Sequence, residues 1–393
     1  MADKVVELCQ KMVQIKSYSG EEGDIAAYMR SFFQAEGFDD IFEDCFGNVI
    51  AHLKGNRPGK TLVIDGHMDT VPADNETEWL CDPYSGEIRD GRIYGRGATD
   101  MKGPLAAAIC GVLEYRDSCQ GHFPGDIYVS CVVHEECFEG CASHSTTSMV
   151  NADYVVIAEP SSMTLKIGQK GRAEIQLETF GKAAHSSNPD AGINAVYKIL
   201  PIIKAFQELP VIEDQRLGKG ILELTDIQSS PYPGASVVPE YCMATFDRRL
   251  VGGETRESVL APLQVVLDKA MAEDSQLNAK VSYARGTGRC YTGKELDVER
   301  FFPGWCRKED EPYIQACYKA LNEELGDVPI SYYYFCTNGS HYGGELDLKC
   351  IGFGPSYENM AHILNENIEI DQLQKGVRGY RVLAKALLED VKE

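Results

Sequence analysis

No long uncharged apolar run occurs in this chain, and its first segment, MADKVVELCQKMVQIKS, carries charges through its apolar pattern and lacks a small-residue cleavage site. Neither a membrane-spanning helix nor an export leader is expected, which makes the protein cytoplasmic. Positive charge is scarce too: 38 lysines and arginines stand against 60 acidic residues, for a net charge of -22. That balance disfavours nucleic acid and anionic membranes and leaves a small molecule as the expected partner. Internal repeats, low-complexity tracts and charged tails are also missing. What the chain does have is length, because 393 residues exceed the size at which a single core stops growing, so two domains are expected. Cysteine is plentiful, but the 14 thiols are scattered through a chain with no export signal and read as reduced core fillers. The tightest group, His134, Cys137, Cys141 and His144, could hold a zinc ion. Glu135 and Glu136, inside the same segment, have a better use.

Apolar spacing from Val5 to Phe33, broken at Gly20, predicts two short helices. GNVIAHL and KTLVIDGH read as strands, the second nearly all apolar before a polar end that delivers His67 and Asp69. GRIYGRGATDMKG is a glycine-punctuated loop that places Asp100 just before PLAAAICGVLEY, whose alanines and early proline suit a helix. DIYVSCVVHEE and ADYVVIAEP again run from apolar strand to acid, which sets Glu135, Glu136 and Glu159 at strand carboxyl ends, where open α/β sheets carry their sites. Beyond Gly168 the strands RAEIQLETF, GILELTDIQ, ASVVPEYCMATFDRRL and NAKVSYAR alternate with helices near 192 to 208 and 255 to 273, a βαββαβ order. CIGFGP then reads as a strand and 371 to 390 as an amphipathic helix. The division is therefore 1–168 and 290–393 for one α/β domain and 169–289 for a second inserted into it.

Two imidazoles among carboxylates at strand ends are the ligand set of borderline-hard divalent ions, zinc first and cobalt or manganese as alternatives. Alone, His67 would read as a hydrogen-bonded core histidine and Asp100 as a helix cap. Asp69 changes the first reading: two residues on in an extended segment, its carboxylate can take the other ring proton and set the tautomer. The flanking GRGATDMKG changes the second, since a carboxylate there can place one oxygen on each of two ions. Adjacent Glu135 and Glu136 end an apolar strand, a costly place for two acids unless a cation or proton compensates. One can be a ligand while its neighbour stays free.

GHMDTVP, GRGATDMKG, HEE, AEP and a late AHILNE, in that order, resemble the motif set of the M20 metallopeptidases and deacylases, over essentially the whole chain. The resemblance implies a zinc-peptidase-like mixed sheet flanked by helices, with a ferredoxin-like βαββαβ lid inserted. It gives His67 and Glu159 to one metal, Glu136 and His362 to the other, and Asp100 to both. Glu135 becomes the general base and Asp69 the residue that orients His67. A water shared by two cations is acidified, so Glu135 can take its proton and later pass it to the leaving nitrogen of an amide.

GKAAHSS resembles the family's lid segment, whose histidine, here His185, helps stabilise the oxyanion, often across a homodimer formed through the lid; a surface-loop histidine is the bland alternative. Arg249 in FDRRL matches a family arginine that binds a substrate carboxylate, a task that suits a guanidinium fork, while Arg248 should point to the other face of the strand. Thr337, Asn338 and Gly339 of CTNGSHYGG match a substrate-pocket loop, and His341 reads as structural. Ser236 stands where many relatives carry a substrate-contacting asparagine. GQKGRAEI, LGKGILELTDI and FCTNGS are closest to the selenium-metabolism-linked hydrolase branch, similar also to acetylornithine deacetylase and succinyl-diaminopimelate desuccinylase. The expected substrate is a small N-acyl or N-carbamoyl amino acid with a free carboxylate. A dipeptidase or carboxypeptidase on the same site, and a non-catalytic metal-dependent binding protein, are the alternatives.

Overall fold

The computed structural model describes residues 1–391. Its chain divides into two compact units, one made of residues 1–169, 287–296 and 306–393, the other of 170–286 and 297–305. The chain thus changes unit four times. The last two crossings have no marker in the sequence: Phe301 and Phe302 pair with Ala173 and Arg172 as an added strand of the second unit.

The first unit is built on a mixed sheet. From one edge it runs Asp40–Glu43, Val49–Lys54, Pro124–Val132, Arg57–His67, Tyr154–Ile157, Lys349–Gly352 and Leu165–Gln169. The four strands from Pro124–Val132 to Lys349–Gly352 are mutually parallel, so their carboxyl ends share one edge of the sheet. The 62–65 and 154–157 stretches are buried throughout, as expected of parallel strands covered on both faces.

The covering helices follow from their apolar patterns. In α1 (Ala2–Gln14), Val5, Leu8, Cys9, Met12 and Val13 are buried, a single stripe at helical spacing. α2 (Gly23–Ala35) buries Ile25, Met29 and Phe33 in the same way. α3 (Lys102–Ser118) is buried on nearly every side from Lys102 to Leu113, and its small residues admit close neighbours. A Cβ on Gly111 would lie 2.4 Å from the Cβ of Tyr380, so only glycine allows α3 to approach α8 (Ile370–Lys385) this closely. α7 (Pro312–Leu325) adds Tyr313, Ile314, Cys317 and Leu321 to the same core. The expected carboxyl-terminal helix ends at Lys385 and continues as a π-helical turn, Ala386–Asp390. Cys9, Cys110, Cys131, Cys317 and Cys350 are buried as unbridged thiols, and burial pushes the Cys9 thiol up to about 12. Among the described residues no helix is long and apolar enough to cross a membrane.

The second unit carries an antiparallel sheet in the order Ile221–Ser230, Tyr241–Leu250, Gly171–Phe180, Asn278–Tyr283. With α5 (Ala195–Gln207) and α6 (Arg256–Glu273) this is a βαββαβ arrangement. Strict alternation of burial along 171–180 and 241–250 shows one face turned to the core, where Ile175, Leu177, Ile199, Ile202 and Phe246 meet. The ASVVPEYCMATFDRRL segment forms two pieces, Val237–Val238 and Tyr241–Leu250. Pro239 lies between them and has no backbone N–H to offer a ladder.

Candidate active site

The parallel strands bring the chemistry to one edge. His67 ends its strand in register with Val132, and Glu135 and Glu136 follow three and four residues beyond. Asp65 pairs with Ile157, so Glu159, two residues further, draws level with His67. Asp100 sits two residues before α3, and its loop is gripped by Glu366: one oxygen of that carboxylate accepts from the amides of Thr99 (2.8 Å) and Asp100 (3.0 Å), the other from Arg96 Nη1 (2.6 Å). His362 follows a short 3-10 turn, Glu358–Met360, and has φ of +61°.

Asp100 stands between the imidazoles. Its Oδ1 is 3.1 Å from His67 Nε2 and its Oδ2 is 3.2 Å from His362 Nε2. Glu159 Oε1 lies 3.6 Å from His67 Nε2, and both oxygens of Glu136 lie 3.0–3.1 Å from His362 Nε2. Two triads result, His67–Asp100–Glu159 and Asp100–Glu136–His362, each with its donor atoms within 4.8 Å of one another. Glu135 belongs to neither triad; its Oε2 is 3.9 Å from His67 Nε2.

The second ring nitrogen of His67 is held differently from the sequence expectation. Nδ1 bonds the backbone carbonyl of Asp69 at 2.9 Å, while the Asp69 carboxylate stands 3.5 Å away. That carboxylate also accepts from Ser19 Oγ (2.6 Å) and from the amides of Glu135 (3.1 Å) and Glu136 (3.2 Å). Asp69 therefore orients His67 chiefly through its main chain and uses its side chain to shape the turn that carries both glutamates. Since a carbonyl oxygen only accepts, Nδ1 carries the hydrogen and Nε2 faces two carboxylates, a position that requires a proton or a metal ion.

The electrostatics agree with a cation-demanding site. Burial drives Glu135 and Glu159 well above the usual carboxylate range and raises Glu136 to about 7. Burial also opposes ionisation of Asp100, yet hydrogen bonds from His362 and His67 outweigh it and hold this carboxyl below its ordinary value. His67 shows the converse: burial disfavours the imidazolium, but Asp100, Asp69 and Glu159 together raise its pKa. His362 is raised to about 10, first by Asp100 and then by Glu136. So many acids around two imidazoles, all short of compensating positive charge, fit a pair of divalent ions.

Several supporting groups are silent in the sequence. Glu22 is buried in the loop before α2, accepts from the His134 amide at 3.1 Å, and is raised to about 7 by burial and by the charge of Asp69. Lys102 is buried with its Nζ 2.7 Å from the Ile15 carbonyl, and burial lowers it to about 7. Glu366 closes the same AHILNE motif that supplies His362, which is the one signal that could have found it. His134 and His144 do not converge on a shared site: His134 Nε2 meets the Arg289 carbonyl at 3.2 Å, and His144 Nε2 meets Glu345 at 3.0 Å.

Thr337, Asn338 and Gly339 lie in the interior of the first unit. Thr337 Oγ1 donates to Gln169 Oε1 (2.6 Å) and accepts from the Gly339 amide (3.0 Å); Asn338 donates to Asp65 Oδ1 (2.8 Å) and accepts from the Gly140 amide (2.7 Å). These side chains are spent on the scaffold.

His185 and Arg249 belong to the second unit. His185 is exposed, and its Nδ1 accepts from the amide of Ser187 at 3.1 Å, so its free hydrogen sits on Nε2, pointing the ring outward as a donor. Arg248 is buried against Glu254 and the carbonyls of Ile221 and Arg249. Arg249 takes the opposite face, with Nε on Asp247 Oδ1 at 2.7 Å, and its charge contributes, after burial, to lowering nearby Lys170.

Comparison with known proteins agrees with this geometry. Residues 63–386 match peptidase family M20/M25/M40. The Escherichia coli K12 protein YgeY is 32% identical over 359 residues, covering 90% of this chain and 87% of that protein. Succinyl-diaminopimelate desuccinylase of Paracoccus denitrificans is 24% identical over 399 residues, covering 95% and 96%. In three dimensions the M20 metallo-carboxypeptidase Sso-CP2 of Sulfolobus solfataricus superposes with a TM-score of 0.75 at 19% identity, over 98% of this chain and 99% of that one.

Proposed function

The chain belongs to peptidase family M20/M25/M40 and is a metal-dependent hydrolase of C–N amide bonds; from that premise we propose that it cleaves the amide of a small N-acyl or N-carbamoyl amino acid bearing a free carboxylate. The observation that carries this reading is the division of labour around Asp100: one oxygen toward each imidazole, with Glu135 left outside both triads. His67 and Glu159 would hold one ion, Glu136 and His362 the other, and Asp100 would reach both. Zinc suits the mixed nitrogen and oxygen set, with cobalt or manganese as substitutes. When bound, such a pair acidifies water and polarises a carbonyl.

Glu135 is the proton carrier. Its burial and raised pKa favour acceptance of a proton from the attacking water and its delivery to the departing nitrogen. Asp69 fixes where that carboxylate stands by holding the Glu135 amide. His185 is assigned as the Nε2–H donor to the developing oxyanion, and Arg249 as the guanidinium that pairs with the substrate carboxylate. A homodimer through the second unit and a cytoplasmic location complete the proposal.

The test is a panel of acetyl, succinyl and carbamoyl amino acids together with dipeptides, each assayed with zinc, cobalt and manganese. Turnover confined to the acylated and carbamoylated compounds supports the reading, whereas turnover confined to dipeptides makes the protein a dipeptidase on the same site.

A further inference from the structure

We infer that His144, His341 and Glu345 form a third divalent-cation site, sharing no residue with the two triads at Asp100. The short helix α4 (Ser143–Met149) supplies His144, and a π-helical turn, Ser340–Glu345, supplies the other two. Glu345 Oε2 lies 2.8 Å from His341 Nδ1 and 3.0 Å from His144 Nε2. The two rings are 3.8 Å apart at their centroids, and the three donor atoms fall within 4.8 Å of one another. This is the geometry of convergent ligands rather than of two separate ion pairs.

Hydrogen bonding to the far side of His341 supports the assignment. Thr147 Oγ1 donates to the His144 carbonyl (3.1 Å) and lies 2.8 Å from His341 Nε2. In the arrangement where the hydroxyl spends its hydrogen on that carbonyl, it accepts from Nε2–H, and the Nδ1 lone pair is directed at a carboxylate oxygen. A lone pair and a carboxylate at hydrogen-bond distance need a proton or a metal ion between them, and an oriented outer partner on the remote nitrogen is the usual companion of a metal-ligating histidine. His341 is 3% exposed, while the His144 side chain is 55% exposed, so the buried ligand is fixed and the outer one leaves a route from solvent. Two imidazoles and one carboxylate select zinc or a neighbouring transition ion over calcium or magnesium, with an open position for water.

The site would act as a clip. Gly140 sits against His341, where a Cβ would come within 2.9 Å of the His341 Cβ, and the Gly140 amide bonds Asn338. A cation on His144, His341 and Glu345 would therefore fasten the segment that follows Glu136 to the loop that supports Asp65, two residues before His67.

The test uses the full chain, stripped with a chelator and titrated with Zn2+ against a chromophoric competitor. The wild-type chain, His144→Ala and Glu345→Gln are compared, with circular dichroism confirming the fold of each. The expected result is that each variant loses one zinc equivalent, or holds it roughly tenfold or more weakly, and that the zinc-dependent rise in thermal midpoint shrinks with it. Placing the same substitutions in a His67→Ala background should preserve the difference of one equivalent, which separates this site from the pair at Asp100. Equal zinc stoichiometry and affinity in the wild-type chain and both variants would overturn the inference and leave a hydrogen-bonded His–Glu–His cluster only.

Discussion

His67 and His362 present the same ring nitrogen to the same aspartate, yet one is 1% exposed and the other 47% at its side chain. His67 ends a buried parallel strand, and a main-chain carbonyl sets its tautomer. His362 rides on a loop with a left-handed backbone, and the contacts of its ring are to the ligand carboxylates themselves. On the proposed assignment of ligands, the sheet would assemble one half of the site before any ion arrives, whereas the other half would rely more on the ion to order it. Preorganisation lowers the cost of binding, so the two ions should differ in affinity although their donor sets are nearly alike.

The sharpest probe of that contrast lies on neither half. Glu135→Gln should lower kcat by roughly 10²–10⁴-fold while both metal equivalents remain, as read by metal analysis beside steady-state rates; retained turnover would remove the base assignment. Next come the two imidazoles. His67→Ala should strip the buried ion and most of the activity, and His362→Ala should strip the other. Graded chelator dialysis of the wild-type chain should empty the His362 side first. Simultaneous loss of both ions would erase the proposed asymmetry.

A smaller effect concerns the scaffold beneath His67. Asp65 receives Asn338 Nδ2, Tyr342 Oη and, more weakly, Ser143 Oγ, and burial raises it to about 6. Asn338→Ala leaves part of this network unsatisfied and should cost about 1–3 kcal/mol in a denaturation experiment. Its KM should change little if the side chain is scaffold; a large rise in KM with unchanged stability would return Asn338 to substrate binding.

The smallest effect is a slope with pH. Glu22 titrates near 7 in the folded chain and near an ordinary glutamate value of about 4.3 when unfolded. Between those values the folded state keeps a proton that the unfolded state has released, so this group's contribution to stability falls as pH rises through the interval and is level above it. Glu22→Gln should remove that slope, and the thermal midpoint of the variant relative to wild type should climb between pH 5 and 7. Parallel pH profiles would show that Glu22 titrates normally.

Much of this was legible because the relevant signals are local. An apolar run ending in HMD, HEE or AEP states both the strand and its functional end, and parallel pairing then brings those ends together. The further role of the Asp69 side chain was not legible, because strand periodicity indicates which side a carboxylate takes but not that amides 66 and 67 residues away will bond it as well. CTNGS resembled a pocket loop, yet burial commits Thr337 and Asn338 to Gln169 and Asp65, partners far away in sequence. His341 read as structural, and its neighbour His144 is brought to it only by the fold.

The sequence by itself determined the reaction class, the family, the apolar strands that end in acids or histidine and the ligand-type residues, because each follows from short-range pattern or from motifs in fixed order. Tertiary structure alone decided which oxygen of Asp100 faces which imidazole, that Asp69 shapes the glutamate turn, and that Glu22, Lys102 and Glu366 stand behind the site. Those outcomes depend on burial and on contacts between distant segments, and it is burial that turns an ordinary acid or base into a group with a demand for charge.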